Sequence, residues 1–254
     1  SRAGAFDLSA ACSGFVYGMD MAAQSIRSGS IQTAVVIGAE TMSRVMDWQD
    51  RATCILFGDG AGAVVLTASN VEGGVLSTVL RSDGSGGDLL GIPTVGSIDI
   101  GDIPVLVNGY KPGKMHMNGS EVFKFATRVI GESINQALDI AGLTIKDLKL
   151  IVPHQANTRI LQAAARALKV DESFFVTNIE RYGNTSSASI PIALCEAISL
   201  GRVKQDDYIA IVGFGGGLTW ASMVIQWGTT PPEDRSVISF NKQRRQVSYT
   251  LAWW

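Results

Sequence analysis

Three side chains in this 254-residue sequence have types and settings that could do covalent chemistry. Cys12 stands in Ala10-Ala11-Cys12-Ser13-Gly14, where a short apolar run gives way to a helical pattern. Its small neighbours let backbone amides approach a ligand. A helix N-terminus supplies unpaired N–H groups and partial positive charge, so the position predicts a lowered thiol pKa. A buried, inert cysteine is the ordinary alternative. His154 follows Leu150-Ile151-Val152-Pro153, just past the C-terminal end of an expected buried strand. Sites in sheets of this kind gather at such ends, where a histidine can donate to an oxyanion or relay a proton. It could equally be satisfied by loop backbone. Asn184, in Tyr182-Gly183-Asn184-Thr185-Ser186, sits at another strand-to-helix turn. Its amide donates without titrating, which suits an oxyanion; alone it would more often be a helix cap. Together the three read as a nucleophile, a proton partner and an oxyanion donor.

The elements that must hold them can be read from periodicity. Residues 5–9 read as a short buried strand leading to Cys12. A helix to about Ser28 follows, with Phe15, Met19, Ala22, Ala23 and Ile26 on one face and Gly29 as terminator. Residues 33–37, almost continuously apolar, predict a strand covered on both faces. Residues 62–67 predict another, after the turn Phe57-Gly58-Asp59-Gly60. Residues 82–118, rich in Gly, Asp and Pro, read as a long connection with short strands near Ile92 and Val105. Asn118 and Glu121 fit a capping box; the helix they open carries Val122, Phe123, Ala126, Val129, Ile130, Ile134 and Leu138 inward and ends at Gly142. Residues 148–152 predict a strand. A helix after Asn157 buries Ile160, Leu161, Ala164 and Leu168, and strands at 174–177 and 208–212 flank a helix over about 189–200. This alternation predicts an α/β protein with helices packed on a largely buried sheet.

Two stretches also superpose. Gly201 lies 172 residues after Gly29, as Asn184 does after Cys12. Each unit runs strand, helix, strand, then a glycine-rich turn, Phe57-Gly58-Asp59-Gly60 or Phe214-Gly215-Gly216-Gly217, into an apolar strand. The spacing predicts a duplicated fold with pseudo-twofold halves.

Composition excludes several classes. With 46% hydrophobic and 17% charged residues the chain is core-forming, and a net charge of −2 gives no general pull toward nucleic acid. Three irregularly spaced cysteines argue against a disulfide framework, and Cys54 and Cys195 read as packing residues. Two histidines, without CxxC or HExxH spacing, argue against zinc. No stretch is apolar and long enough to span a bilayer, and no leader is visible. A reduced, cytoplasmic setting is expected.

The motifs become specific in combination. Ala10 to Gly14, Val152-Pro153-His154-Gln155-Ala156-Asn157 and Tyr182 to Ser189 closely resemble the three active-site motifs of the β-ketoacyl-acyl-carrier-protein synthase III family. Gly213-Phe214-Gly215-Gly216-Gly217-Leu218-Thr219-Trp220 resembles its C-terminal glycine signature, and Phe57 to Ala63 matches as well; the likeness runs from about residue 4 to Trp227. The resemblance implies a thiolase-like fold of two pseudo-duplicated halves. It implies that Cys12 takes an acyl group from acyl-coenzyme A as a thioester. Malonyl-acyl-carrier protein then loses carbon dioxide, with His154 and Asn184 stabilising the enolate, and the carbanion attacks the thioester. By the same analogy the oxyanion hole is formed by backbone N–H groups of Cys12 and Gly216. Phe214 matches a residue lining the active-site mouth, Asn157 one near the pantetheine arm, and Arg51 one contacting coenzyme A. Arg159 matches an arginine implicated in carrier-protein docking. Arg166, two turns further on the same helix, and Lys124 could extend that basic patch. No cofactor beyond the thioester substrates, no nucleic acid and no membrane is implied, and the full-length form is expected to be a homodimer.

Family members carry a long segment before the nucleophile, so an N-terminal truncation is expected, with the first half incomplete. The expected division is 1–108 for the remainder of the nucleophile half, 109–227 for the His/Asn half and 228–254 for an atypical tail. The tail, with Pro231-Pro232, Lys242, Arg244, Arg245 and Trp253-Trp254, is expected to be loosely packed or a non-native extension. The alternatives are a catalytically inactive truncated fragment and a polyketide-type condensing relative. Chalcone-synthase-like enzymes share the three residue types, but the Gly-Gly-Gly-Leu-Thr-Trp run favours synthase III.

Overall fold

The computed structural model describes residues 2–70, 73–93, 111–228 and, as backbone, 246–250. A 3-10 turn over Ala11–Ser13 runs into α1 (Gly14–Arg27), which buries Phe15, Met19, Ala23 and Ile26. The chain leaves α1 through Gly29 at φ 79°, a conformation glycine adopts without a Cβ clash. β1 (Thr33–Thr41) and β2 (Asp59–Ser69) then pair antiparallel, with Thr33 opposite Thr67 and Thr41 opposite Asp59. A second sheet has the order β3 (Gly74–Ser82), β8 (Thr219–Gln226), β7 (Tyr208–Gly215), β6 (Leu148–Pro153). Its β6–β7 pair is parallel and the others antiparallel. Between β3 and β6 in sequence, β4 (Leu90–Gly91) and β5 (His116–Met117) form a small ladder. The remaining helices are α2 (Gly119–Ala141), α3 (Thr158–Leu168), the single turn α4 (Ile179–Tyr182) and α5 (Ser189–Ser199).

The layers follow from which faces are apolar. α1 and α5 lie between the two sheets: Phe15 and Ile26 of α1 and Ile190 and Leu194 of α5 share one core with Val64 and Leu66 of β2 and Ile209, Ile211 and Met223 of β7 and β8. The opposite face of the second sheet is covered by α2 and α3, through Phe125, Ile130, Ile134, Leu161 and Leu168 against Ile151, Ala210, Val212 and Val224. Each such fully buried side chain contributes roughly 1.5–3 kcal/mol. Glycines let α5 close on the first sheet. A Cβ on Gly38 would lie 2.7 Å from the Ser187 carbonyl oxygen, and one on Gly62 2.9 Å from Pro191 Cβ.

The halves retrace one path: 3-10 turn, helix, glycine at positive φ, then two antiparallel strands. The residues entering the helices have the same unusual backbone, φ 48° at Ala11 and 50° at Ser186. The expected register needs correcting here. Gly29 and Gly201 (φ 68°) do correspond at 172 residues, but the turns correspond at 175, because α1 has 14 residues and α5 has 11. Cys12 therefore stands opposite Ser187, not Asn184.

Other expectations are also revised. Residues 5–9 form no strand and Phe6 is 80% exposed, since no described strand lies alongside to complete a ladder. β1 is covered on one face only: Val35 and Ile37 are 57% and 63% exposed, whereas Ala210 and Val212 of β7 are fully buried under α2. Phe123 is exposed, and Phe125 takes the inward place in α2, three residues after Val122 and four before Val129. In place of a strand, residues 174–177 contribute the last residue of a 3-10 turn, Glu172–Phe174, and one bridge between Phe175 and Ile151. β3 carried no expectation. Within the tail, Gln246–Thr250 forms β9, antiparallel on the edge of β2. Val105, the boundary at 108–109 and the named tail residues lie outside the described residues.

Candidate active site

Cys12 is buried in the Ala11–Ser13 turn, pressed against the β7–β8 hairpin. A Cβ on Gly215 would sit 2.8 Å from Cys12 Cβ and 3.0 Å from its Sγ; one on Gly213 would sit 2.9 Å from Ser13 Cα. Gly215, not Gly216, is thus the glycine that the position of Cys12 demands. Gly216 instead makes room for the Leu90 carbonyl oxygen, 3.0 Å from where its Cβ would be. The left-handed backbone at Ala11 costs roughly 1–2 kcal/mol in an L-residue, so the turn must be held. Thr219 Oγ1 does this, lying 3.0 Å from the carbonyl oxygens of Ala10 and Gly216 and 3.2 Å from Ser13 Oγ.

The expected lowering of the thiol pKa is overturned. Burial pushes it up to about 11; the Ser186 hydroxyl pulls it down, Glu40 adds to the rise, and the residue's own N–H lowers it. Desolvation outweighs the helix start. Glu40, at the end of β1, is held by Ser187, whose Oγ donates to it at 2.6 Å and whose N–H donates at 3.2 Å.

His154 leaves β6 with its N–H donated to the Val212 carbonyl at 2.7 Å, and its ring is buried edge-on to Phe214 with centroids 5.2 Å apart. Burial pulls its pKa down to about 3, against a backbone hydrogen bond at Ser186. The imidazole is therefore neutral. Its Nδ1 lies 2.7 Å from Ser189 Oγ, which also reaches the Ser186 carbonyl at 2.9 Å. This one hydroxyl serves either tautomer. Donating to the carbonyl, it accepts from Nδ1–H and leaves Nε2 a proton acceptor; donating to Nδ1, it leaves Nε2–H a donor.

Asn184 is fixed at both backbone and side chain. Its N–H donates to the Leu56 carbonyl and its carbonyl accepts from Gly58 N–H, both at 2.9 Å. Its Oδ1 accepts from Ser186 N–H at 2.8 Å, which leaves the Nδ2 end of the carboxamide as the donor toward a ligand. The Phe57-Gly58-Asp59-Gly60 run is thereby explained: it forms a one-residue parallel bridge to Asn184, and only a glycine at 58 allows it.

Ser186 joins the three. Its Oγ is 3.5 Å from Cys12 Sγ, its N–H fixes the Asn184 amide, and its carbonyl meets the hydroxyl that orients His154. The structure thus brings Cys12, His154 and Asn184 together around one residue. Sequence reasoning missed Ser186, Ser189, Thr219, Glu40 and Gly215. Four of them lie inside quoted motifs, which was the available signal; Glu40 gave none.

The remaining expected residues are more dispersed. Phe214 is buried edge-on to His154. Asn157 caps α3, accepting from Arg159 N–H at 2.9 Å. Arg159 and Arg166 are exposed on α3, and Arg51 is exposed in the turn region before β2. Lys124 is exposed but paired with Glu121 at 2.7 Å, which weakens it as a docking charge. Cys54 and Cys195 are half-buried. Among the described residues, no group of three or more His, Cys, Asp or Glu side chains could hold a metal ion.

Two related sheets thus enclose a shared helix pair, with a buried cysteine, a buried histidine and a fixed carboxamide gathered around Ser186. The description "3-Oxoacyl-[acyl-carrier-protein (ACP)] synthase III" matches residues 6–84, and that of its C-terminal part matches residues 138–227. The chain is 50% identical over 229 residues to a β-ketoacyl-[acyl-carrier-protein] synthase III of Desulfitobacterium hafniense, covering 89% of this chain and 68% of the relative. It is 49% identical over 227 residues to that of Symbiobacterium thermophilum, with the same coverage. The solved β-ketoacyl-acyl-carrier-protein synthase III of Thermus thermophilus is similar at a TM-score of 0.82 and 43% identity, covering 89% of this chain and 68% of that one. The chain belongs to the β-ketoacyl-acyl-carrier-protein synthase III family.

Proposed function

We propose that Cys12, His154 and Asn184 carry out the reaction of this family, the decarboxylative Claisen condensation that initiates fatty acid synthesis. The enzyme is an acyltransferase: it joins an acyl-coenzyme A starter to malonyl-acyl-carrier protein and yields a β-ketoacyl-carrier protein. Cys12 sulfur attacks the thioester carbonyl, the carbon–sulfur bond to coenzyme A breaks, and the thiol proton ends on the departing sulfur. A neutral His154 in its acceptor tautomer can relay that proton. Backbone N–H groups of Cys12 and Gly216 form the oxyanion hole in this reading.

Malonyl-carrier protein then loses carbon dioxide, and the electron pair of the broken carbon–carbon bond becomes an enolate. With the Ser189 hydroxyl turned to Nδ1, His154 Nε2–H and Asn184 Nδ2–H converge as donors for the enolate oxygen. Collapse onto the Cys12 thioester forms the new carbon–carbon bond and returns the thiolate, which takes up a proton. No cofactor enters, because carbon dioxide loss drives the step.

Arg159 and Arg166 form the docking face for the acidic carrier protein, and Arg51 and Asn157 flank the coenzyme A arm. In this division residues 1–108 carry the nucleophile and lend β3 to the sheet of residues 109–227, the half carrying His154 and Asn184. The full-length form is a homodimer in this reading, in a cytoplasmic setting. Among the described residues no helix is long and apolar enough to cross a membrane.

The convergence of the three side chains on Ser186 carries the proposal. Radiolabelled acetyl-coenzyme A tests it: label is expected on Cys12, absent in Cys12→Ala, and discharged by malonyl-carrier protein. His154→Ala should slow decarboxylation more than acylation. A folded chain that never takes up label, or equal loss of both half-reactions in His154→Ala, refutes the assignment.

A further inference from the structure

A carboxylate outside the site ties both arms of the acceptor machinery together. Glu196 lies on α5 seven residues after Ser189, two turns along the same face. Its Oε1 accepts from Arg181 Nη1 at 2.9 Å and from the Tyr182 hydroxyl at 2.6 Å; its Oε2 accepts from Arg181 Nη2 at 2.7 Å and Asn178 Nδ2 at 2.8 Å. The arginine pair is bidentate, a geometry that fixes direction as well as distance. The Arg181 guanidinium also lies over the Tyr182 ring, 5.3 Å from its centroid.

The two ends of this cluster lead to the two proposed enolate donors. Tyr182 is followed by Gly183, at φ 66°, and then Asn184. Asn178 N–H donates to Gln155 Oε1 at 3.0 Å, and Gln155 Nε2 donates to the carbonyls of Pro153 at 2.8 Å and Val176 at 3.0 Å. Gln155 is buried and directly follows His154. The chemistry of Glu196 itself agrees: burial pushes its pKa up, but hydrogen bonds from Tyr182 and Asn178 and the Arg181 charge outweigh this and hold it below the ordinary value.

We infer that Glu196 is a positioning residue for the decarboxylation half-reaction, setting the distance between the His154 loop and the Asn184 turn through Asn178, Arg181 and Tyr182. Among the described residues, the hydrogen bonds that Glu196, Arg181, Tyr182, Asn178 and Gln155 make do not reach the Cys12 turn, so acyl transfer to Cys12 depends on the cluster less than decarboxylation does. The inference rests on the roles proposed above for His154 and Asn184.

The test compares Glu196→Ala, Glu196→Gln and Asn184→Ala in the full chain. The readouts are label transfer from acetyl-coenzyme A to Cys12 and release of carbon dioxide from malonyl-carrier protein by the acylated enzyme. In Glu196→Ala, carbon dioxide release should fall about tenfold or more, as for a sub-ångström misplacement of a donor, while label transfer stays within about threefold. Glu196→Gln keeps an acceptor for Arg181 and Tyr182 and should recover much of the rate. If Glu196→Ala is unstable, Glu196→Gln decides, with carbon dioxide release lowered selectively but less. Parallel loss of both half-reactions, or no loss, in a folded Glu196 variant while Asn184→Ala is selectively impaired overturns this inference alone. Undiminished carbon dioxide release in Asn184→Ala overturns the role of Asn184 and this inference with it.

Discussion

Replacing Gly58 by alanine should disable the acceptor half of the site while leaving the nucleophile intact. The added Cβ would fall 2.1 Å from the Tyr182 carbonyl oxygen and 3.3 Å from its carbon. An unstrained carbon–oxygen contact needs about 3.3 Å, so the two backbones must separate by roughly 1.2 Å. No flexible side-chain tip is available to absorb this, because the obstacle is main chain. Gly58 does not adopt a positive φ, so the whole effect is steric. The hydrogen bond from Gly58 N–H to the Asn184 carbonyl, 2.9 Å long, lies in the same bridge and would open. Together these cost roughly 1–3 kcal/mol of stability from overpacking and about 1 kcal/mol from the lost bond. A displacement near 1 Å of a reacting donor costs on the order of a hundredfold in rate. The expected result is therefore a folded variant that takes up acetyl label on Cys12 normally but releases carbon dioxide from malonyl-carrier protein about a hundredfold more slowly. Wild-type carbon dioxide release, or an equal fall in label uptake, would refute the claim that this bridge positions Asn184.

Two further outcomes follow from charge. His154 has its pKa held near 3, against an ordinary 6.5, by burial. As pH falls below that ordinary value the unfolded chain takes up a proton that the folded chain refuses, so stability present above it is lost on the way down. Thermal midpoints measured between about pH 7 and about pH 4 should fall less steeply in His154→Gln than in the wild type; equal slopes contradict the buried neutral ring. Arg159→Glu with Arg166→Glu should raise KM for malonyl-carrier protein about tenfold and flatten its salt dependence, with acetyl transfer from coenzyme A as the carrier-free control. An unchanged KM places the docking surface elsewhere.

Much of the candidate site was legible in the sequence because each of its three residues follows a run of a different character. His154 stands directly past the end of β6, and Cys12 and Asn184 stand at the turns that open α1 and α5, although the strands expected before those two do not form. What orients them was not legible. Ser186 and Ser189 are ordinary small polar residues whose importance lies in a left-handed backbone and a 2.7 Å contact across 35 residues. Glu196 sits in a helix where a carboxylate is unremarkable until its four donors are seen. The duplication was legible as topology, but its register slipped by three residues, because the helices differ in length by one short turn. Periodicity also misjudged cover: Val35 and Ile37 have the composition of a doubly covered strand, yet cover is a property of the neighbouring layer. The pKa expectation failed for a related reason, since a helix start is visible locally and burial is not.

The elevated pKa of Cys12 bears on survival as well as turnover. Peroxides attack sulfur chiefly in its ionised form, and here the atom rests protonated, tucked beneath Gly215 and out of solvent. A buried sulfur held in the thiol form is a poor target for oxidants. In the reaction proposed above, its hazard is confined to the brief interval in which a bound thioester draws the proton away.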